Sequence, residues 1–115
     1  MTKINLTREK DKLIRLDITG HAEYAESGKD IVCSAISILA YTLAEHIAVV
    51  YEQGILRDKP TVKLEDGDVH IECKTDDPKV YSYLLGKYMF VMTGYDLIKL
   101  TYPEYVDIKI NESLA

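Results

Sequence analysis

Hydrophobic and polar residues alternate one by one at the start of the chain. Ile4 and Leu6 fall on one side of an extended segment and Lys3, Asn5 and Thr7 on the other, so residues 3–8 predict a half-buried strand. The charged stretch Glu9-Lys10-Asp11-Lys12 separates it from a second alternating run, in which Ile14, Leu16 and Ile18 oppose Arg15, Asp17 and Thr19. Together these two runs predict a hairpin with a polar connection. The period then changes. Val32, Ala35, Ile36, Leu39, Leu43, Ile47 and Val50 recur every three or four residues, predicting a helix over 31–53 with Asp30 as its N-cap and Gly54 as its terminator. Alternation returns in 61–65 and 69–74 around Asp66-Gly67-Asp68, and Asp-Gly between such runs signals a hairpin. Asp76-Asp77-Pro78 opens a second helix near 78–100, with acidic residues at its positive end and proline close to its first position. Pro103 limits it, and Val106, Ile108 and Ile110 alternate as a last strand.

The resulting order is β-β-α-β-β-α-β, and each strand is apolar on one face only. This predicts a two-layer α+β domain, residues 1–115, in which two long helices cover one face of a sheet. Both helices carry more apolar residues than one packed face accommodates. In the second, Val80, Tyr81, Tyr83, Leu84, Leu85, Tyr88, Met89, Phe90, Val91, Met92, Tyr95, Leu97 and Ile98 together cover most of the circumference, and a further row through Ile31, Ile38, Tyr41 and Ala48 widens the first. An apolar excess of that size marks an interface, so a homodimer is expected.

Composition narrows the function. An apolar content of 47% with 29% charged residues is that of a folded globular chain and argues against disorder. Nineteen acidic residues against fourteen basic ones leave a charge of -5, with no cationic excess to displace counterions, so direct binding to nucleic acid is not expected. Residues 1–6 lack the apolar core of a signal peptide, and the apolar runs look too short to span a bilayer, so a cytoplasmic protein without a membrane partner is expected. Cys33 and Cys73 are forty residues apart, are expected as free thiols in a reducing compartment, and match no zinc-knuckle spacing. Phosphate-loop, dinucleotide-binding and H-E-x-x-H motifs do not occur, so neither a metal nor a cofactor is expected.

The candidate chemistry sits in one connection. His21 falls where the second strand runs out, and Cys33 is the third residue of the first helix, counted from Asp30 as cap. A helix N-terminus carries about half a positive elementary charge, which favours a thiolate, and an imidazole can take the thiol proton; together these are the minimal equipment of a nucleophilic acyl-transfer enzyme. The ends of one strand-to-helix connection lie close in space. The alternatives are a surface histidine and an inert core cysteine. Asp30 has two readings, helix cap or orienter of His21, and as an anion it would raise the thiol pKa unless dipole and imidazole outweigh it. Ser37, one turn beyond Cys33, either lines the floor of a pocket or bonds back to a helix carbonyl. Gly20 and Gly28 are either turn residues or hinges of a mobile loop. Cys73, His46 and His70 read as structural or solvated.

At these residues the chain resembles the ribosomal-processing cysteine protease family, Prp, of Firmicutes and related bacteria. The likeness rests on Gly20-His21-Ala22, Gly28, and Asp30-Ile31-Val32-Cys33-Ser34-Ala35 with Ser37, and extends over the chain in length and element order. The resemblance implies a homodimeric peptidase with a catalytic pair, His21 and Cys33. Its implied substrate is the N-terminal peptide of the precursor of large-subunit ribosomal protein twenty-seven, cut after a phenylalanine. It further implies a lid over residues 22–29 and oxyanion stabilisation by N–H groups at the start of the first helix. An apolar pocket for the phenylalanine is expected beside helix-face aromatics such as Tyr41 or Tyr88. Two rival functions remain on the sequence: a non-catalytic ribosome-assembly protein and a redox-sensing thiol protein.

Overall fold

The computed structural model describes residues 1–25 and 30–113. Its elements are β1 (Thr2–Glu9), β2 (Leu13–Thr19), α1 (Ile31–Glu52), β3 (Thr61–Glu65), β4 (Asp68–Lys74), α2 (Pro78–Thr101) and β5 (Val106–Ser113). The strands form one five-stranded sheet in the order β3-β4-β2-β1-β5. All neighbours are antiparallel except β1 and β5, which run parallel. This is the α+β arrangement that the periodicity predicts.

Register follows from the alternation. Ile4 opposes Ile18, and Ile18 opposes Val69; Leu6 opposes Leu16, and Leu16 opposes Ile71. Apolar rows therefore run across three strands on one face, and a slip of one residue would turn every row to solvent. The helices close that face with Val32, Leu43, Ile47, Leu84 and Met92, all buried. Two tyrosines reach into the core with their hydroxyls satisfied. Tyr88 donates to the carbonyl of Ile71 at 3.0 Å, and Tyr95 donates to the carbonyl of Ile36 at 3.1 Å, tying α2 to β4 and to α1. Each such buried bond contributes about 1 kcal/mol net, and leaving the hydroxyl unpaired would cost more. The opposite face of the sheet is polar, with His70 Nδ1 2.6 Å from Asp17 Oδ1.

The helix ends follow the capping rules. Asp77 Oδ1 accepts the N–H groups of Lys79 and Val80 at the start of α2. Gly54, at φ +78°, carries the chain out of α1 in the left-handed conformation that glycine adopts without penalty.

Three particulars depart from the sequence reading. The β3–β4 turn is only Asp66-Gly67, because Asp68 already pairs with Glu65 and Thr19. β3 alternates, yet Val62 and Leu64, on the helix side, are about two-fifths exposed, so the helices cover the inner strands and leave this edge open. Finally, α1 is long and apolar enough by composition to cross a bilayer, with mean hydropathy 1.6 over an 18-residue window, contrary to the expected shortness of apolar runs. Its buried row from Val32 to Val50 lies against the sheet, which accounts for that apolarity in a two-layer fold.

One glycine is demanded by the fold at the end of β2. Gly20 has φ +86°, and a Cβ there would lie 2.7 Å from the carbonyl oxygen of Met1. Gly20→Ala is expected to destabilise the protein by at least about 1–2 kcal/mol, the usual cost of a left-handed L-residue, before any steric push on β1. Urea unfolding monitored by circular dichroism measures it.

Candidate active site

Strand pairing delivers His21 to the β3–β4 turn. Thr19 opposes both Lys3 and Asp68, and beyond it the Gly20 N–H donates to the Gly67 carbonyl at 3.0 Å. His21, the next residue, lays its ring edge on Gly67. A Cβ at Gly67 would lie 2.7 Å from Nε2 and 3.0 Å from Cε1, so only glycine leaves room for the imidazole in this position. Nδ1 is 3.9 Å from Asp66 Oδ1, within ion-pair range but longer than a hydrogen bond.

Cys33 is placed by α1 and held by Asp30. The Asp30 Oδ1 accepts the Cys33 N–H at 3.0 Å, the expected N-cap bond, worth about 0.5–2 kcal/mol to the helix. The Asp30 carbonyl accepts both the N–H and the hydroxyl of Ser34. Asp30 Oδ2 turns the other way and accepts the N–H of Tyr24 at 3.0 Å and of Ala25 at 3.4 Å. The Ala22 N–H points at Cys33 Sγ, 3.4 Å away. Residues 22–25 are thus folded down on the mouth of α1. The Tyr24 ring adds edge contacts to Tyr102 and Tyr105, each at 5.2 Å between centroids.

Of the two readings of Asp30, the geometry selects the cap. Its hydrogen bonds go to the backbone of 24, 25 and 33, and none among the described residues goes to His21. The side chain facing His21 is Asp66, whose position in the sequence suggested only a turn.

The electrostatics reverse one expectation. Burial pushes the Cys33 thiol above its ordinary value; the Ala22 N–H pulls it down, but the Asp30 carboxylate pushes it further up. The sulfur is therefore a protonated thiol at neutral pH, whereas the helix dipole alone predicted a thiolate. His21 is not among the groups that stabilise it, and among the described residues no hydrogen bond joins the two side chains. Burial also works against the Asp30 charge, but the N–H groups of Cys33, Tyr24 and Ala25 outweigh it and hold its carboxyl below the ordinary value. Cys73 is a different kind of thiol: sealed in the core, it is pushed up to about 11, mainly by burial.

His21, Cys33, Ser37 and Asp66 all line two adjoining cavities of about 290 and 390 Å³. The first runs between α1 and the β3–β4 turn and includes Tyr41, Gly20 and Gly67; the second lies under Glu23 and Ala25 and includes Asp30 and Ser34. Ser37 therefore faces the cavities, as its first reading supposed. Tyr41 borders the first cavity, but Tyr88 is buried with its hydroxyl on Ile71, so it does not line a pocket. Gly28 and the rest of the segment 26–29 lie outside the described residues. A larger cavity, about 640 Å³, lies at the opposite end of the sheet between Lys12, Arg57 and Asp76 and contains no histidine or cysteine. Among the described residues no three of His, Cys, Asp or Glu are grouped to hold a metal ion.

Two of the helix N–H groups expected to stabilise an oxyanion are already engaged. Those of Cys33 and Ser34 bond to Asp30, side chain and carbonyl respectively. Sequence reasoning did not find the contact of Ala22 with the sulfur, of Gly67 with the imidazole, or of Tyr24 with Asp30, Tyr102 and Tyr105, since each depends on how the chain folds back on itself.

A thiol at the first turn of a helix and an imidazole on a neighbouring turn, opening onto one groove of a two-layer α+β domain, are the parts of a cysteine protease. The family model of the cysteine protease Prp matches residues 1–107, and the chain belongs to that family. Among solved structures, the ribosomal-processing protease Prp of S. aureus, in complex with a covalently linked product peptide, superposes with TM-score 0.72 at 21% identity, over 96% of this chain and all of that one. The same protein with a substrate peptide gives TM-score 0.69 at 20% identity, over 96% and 100% of the two chains. A Streptococcus mutans protein gives TM-score 0.69 at 24% identity, over 98% and 96%. No curated protein sequence matches the chain significantly.

The raised thiol sets a measurable outcome. At pH 7, Cys33 in the free protein is expected to react with iodoacetamide more slowly than an unperturbed thiol of pKa about 8.5, with the rate still climbing above pH 9. Asp30→Asn removes the charge that raises the thiol while leaving a capping oxygen, so alkylation at pH 7 should accelerate several-fold; peptide mapping by mass spectrometry reads both. The Asp30 carboxylate contributes its stability in full above its unfolded pKa, near 3.8, and loses it as pH falls through the lower folded value. The wild type should therefore lose stability through that acid range more steeply than Asp30→Asn, as read by urea unfolding at a series of pH values.

Proposed function

We propose that this protein is a ribosomal-processing endopeptidase that uses Cys33 as nucleophile and His21 as its base and acid. The observation that carries the reading is the shared groove: thiol and imidazole come from different segments and border the same pair of cavities, in a chain whose family is that of the cysteine protease Prp. The proposed substrate is the precursor of large-subunit ribosomal protein twenty-seven, whose short N-terminal extension is removed after a phenylalanine. Supporting this, the related S. aureus protease is described with a substrate peptide and with a covalently linked product peptide. The rim of the groove carries Glu65, Asp66 and Asp68, which suits a lysine-rich tail. Tyr41 is the aromatic beside which the phenylalanine would lie.

The chemistry begins from a protonated thiol. The imidazole leaves Gly67, takes the Sγ proton, and the thiolate attacks the scissile carbonyl. The imidazolium returns the proton to the departing amine, and water, deprotonated by the same imidazole, hydrolyses the thioester. Substrate binding must also loosen Tyr24 and Ala25 from Asp30 far enough for the peptide to reach Sγ, so activation is coupled to occupancy of the groove.

A homodimer in the cytoplasm completes the proposal. Phe90, Leu97 and Leu100 stand on one face of α2, about three-fifths or more exposed, with Ile31 and Ile38 similarly bare on α1. Sedimentation equilibrium should return twice the chain mass of 13.1 kDa.

Incubation with the precursor, followed by N-terminal sequencing of the product, tests the activity. The wild type should expose the residue after the phenylalanine, whereas Cys33→Ala and His21→Ala should each lose roughly a thousandfold or more. Equal cleavage by wild type and Cys33→Ala would remove the peptidase assignment. Loss in Cys33→Ala with full retention in His21→Ala would leave a thiol enzyme without this base.

A further inference from the structure

An acyl transfer from a peptide to Cys33 needs donors for the negative oxygen that forms when Sγ adds to the carbonyl, and the N–H groups of Cys33 itself and of the next residue in α1 are already engaged. The Cys33 N–H is bound to Asp30 Oδ1 at 3.0 Å and the Ser34 N–H to the Asp30 carbonyl at 3.1 Å. Breaking either would uncap the helix that holds the nucleophile.

The other N–H groups at the sulfur come from the segment after His21. Ala22 N lies 3.4 Å from Sγ, with its N–H directed at it. Glu23, the next residue, has φ +60°, a left-handed conformation that a non-glycine residue adopts at a cost. Such an inversion turns successive N–H groups to the same side and makes an anion-binding concavity. The Ala22 N–H reaches the Cys33 sulfur, the adjoining Glu23 N–H pulls the thiol down more weakly, and those of Tyr24 and Ala25 bind the Asp30 carboxylate. A run of backbone donors thus converges on sulfur and carboxylate together, and Ala22 is fully buried, so water does not compete for its N–H.

We infer that the backbone N–H groups of Ala22 and Glu23 are the oxyanion hole of this protease. When Sγ bonds to the carbonyl carbon, the carbonyl π pair moves to oxygen, which comes to lie within about 3 Å of Sγ; a donor aimed at Sγ from 3.4 Å needs only a small turn to reach it. Collapse of the adduct re-forms the carbonyl and expels the amine, which takes its proton from His21, and the donors are then free for the second, hydrolytic adduct. The Ala22 N–H that rests on the sulfur before reaction serves the oxygen during it, with the Glu23 N–H beside it. The inference rests on the peptidase reading, and its test does not depend on which peptide is cut.

Cys33 is itself a ligation junction, so a synthetic 1–32 thioester joined to recombinant 33–115 gives the full chain with Ala22 replaced by L-lactic acid, which deletes only that N–H. Two reactions of Cys33 are then compared, acylation by p-nitrophenyl acetate, which passes through an oxyanion, and alkylation by iodoacetamide, which does not. The expected result is a fall in acylation relative to alkylation of about a hundredfold, the usual effect of one lost donor. An equal fall in both would mean that the N–H serves only the thiolate, and no fall would mean that it serves neither; each overturns the inference. Should the Ala22 ester fail to fold, the ester at Glu23 is read by the same ratio. In the unmodified protein, a peptide aldehyde that adds to Cys33 should move the Ala22 and Glu23 amide protons downfield in the NMR spectrum, and an unmoved pair would also overturn it. Failure of the wild type to cut the ribosomal precursor would sink the substrate assignment and leave this ratio standing.

Discussion

One buried carboxylate organises the functional end of this molecule. Asp30 caps α1 with one oxygen and holds the backbone of Tyr24 and Ala25 with the other, so a helix and the segment folded over it share a single anchor. Buried anions persist only when their lone pairs are satisfied, and here three N–H groups do so. The cost falls on its neighbour, since the same charge raises the Cys33 thiol. Stability of the closed segment and nucleophilicity of the sulfur are therefore opposed. Loosening Tyr24 and Ala25 from Asp30 would change both sides of that opposition at once.

The architecture was legible where burial and period coincide. β1, β2 and β4 pack one face against helices, so their alternation read directly as strand and side. Asp30 and Gly54 bounded α1 because capping is a local matter of side-chain acceptors and positive φ. β3 shows the limit of that reasoning: its alternation says which side Val62 and Leu64 face, but not whether a helix reaches over them. Tyr88 and Tyr41 show the same limit in a helix. In helices that are apolar over most of their circumference, period alone does not separate the inward tyrosine from the one beside the groove.

At the site, the meeting of His21 and Cys33 in one groove was legible from the short connection between them. The state of the thiol was not, because it depends on the burial of one sulfur atom and the aim of one carboxylate, neither encoded in spacing. The part played by Asp66 and Gly67 was hidden for another reason. Their contact with His21 comes through the pairing of β2 with β4 and the Gly20–Gly67 bond, across more than forty residues of chain.

The covered, protonated sulfur has a bearing on survival as well as on turnover. Peroxide and other oxidants attack thiolates, and a site that keeps its sulfur as thiol between encounters escapes the irreversible steps to sulfinic and sulfonic acid. The enzyme would thus idle in an oxidant-tolerant form and risk inactivation only during the brief interval in which it works.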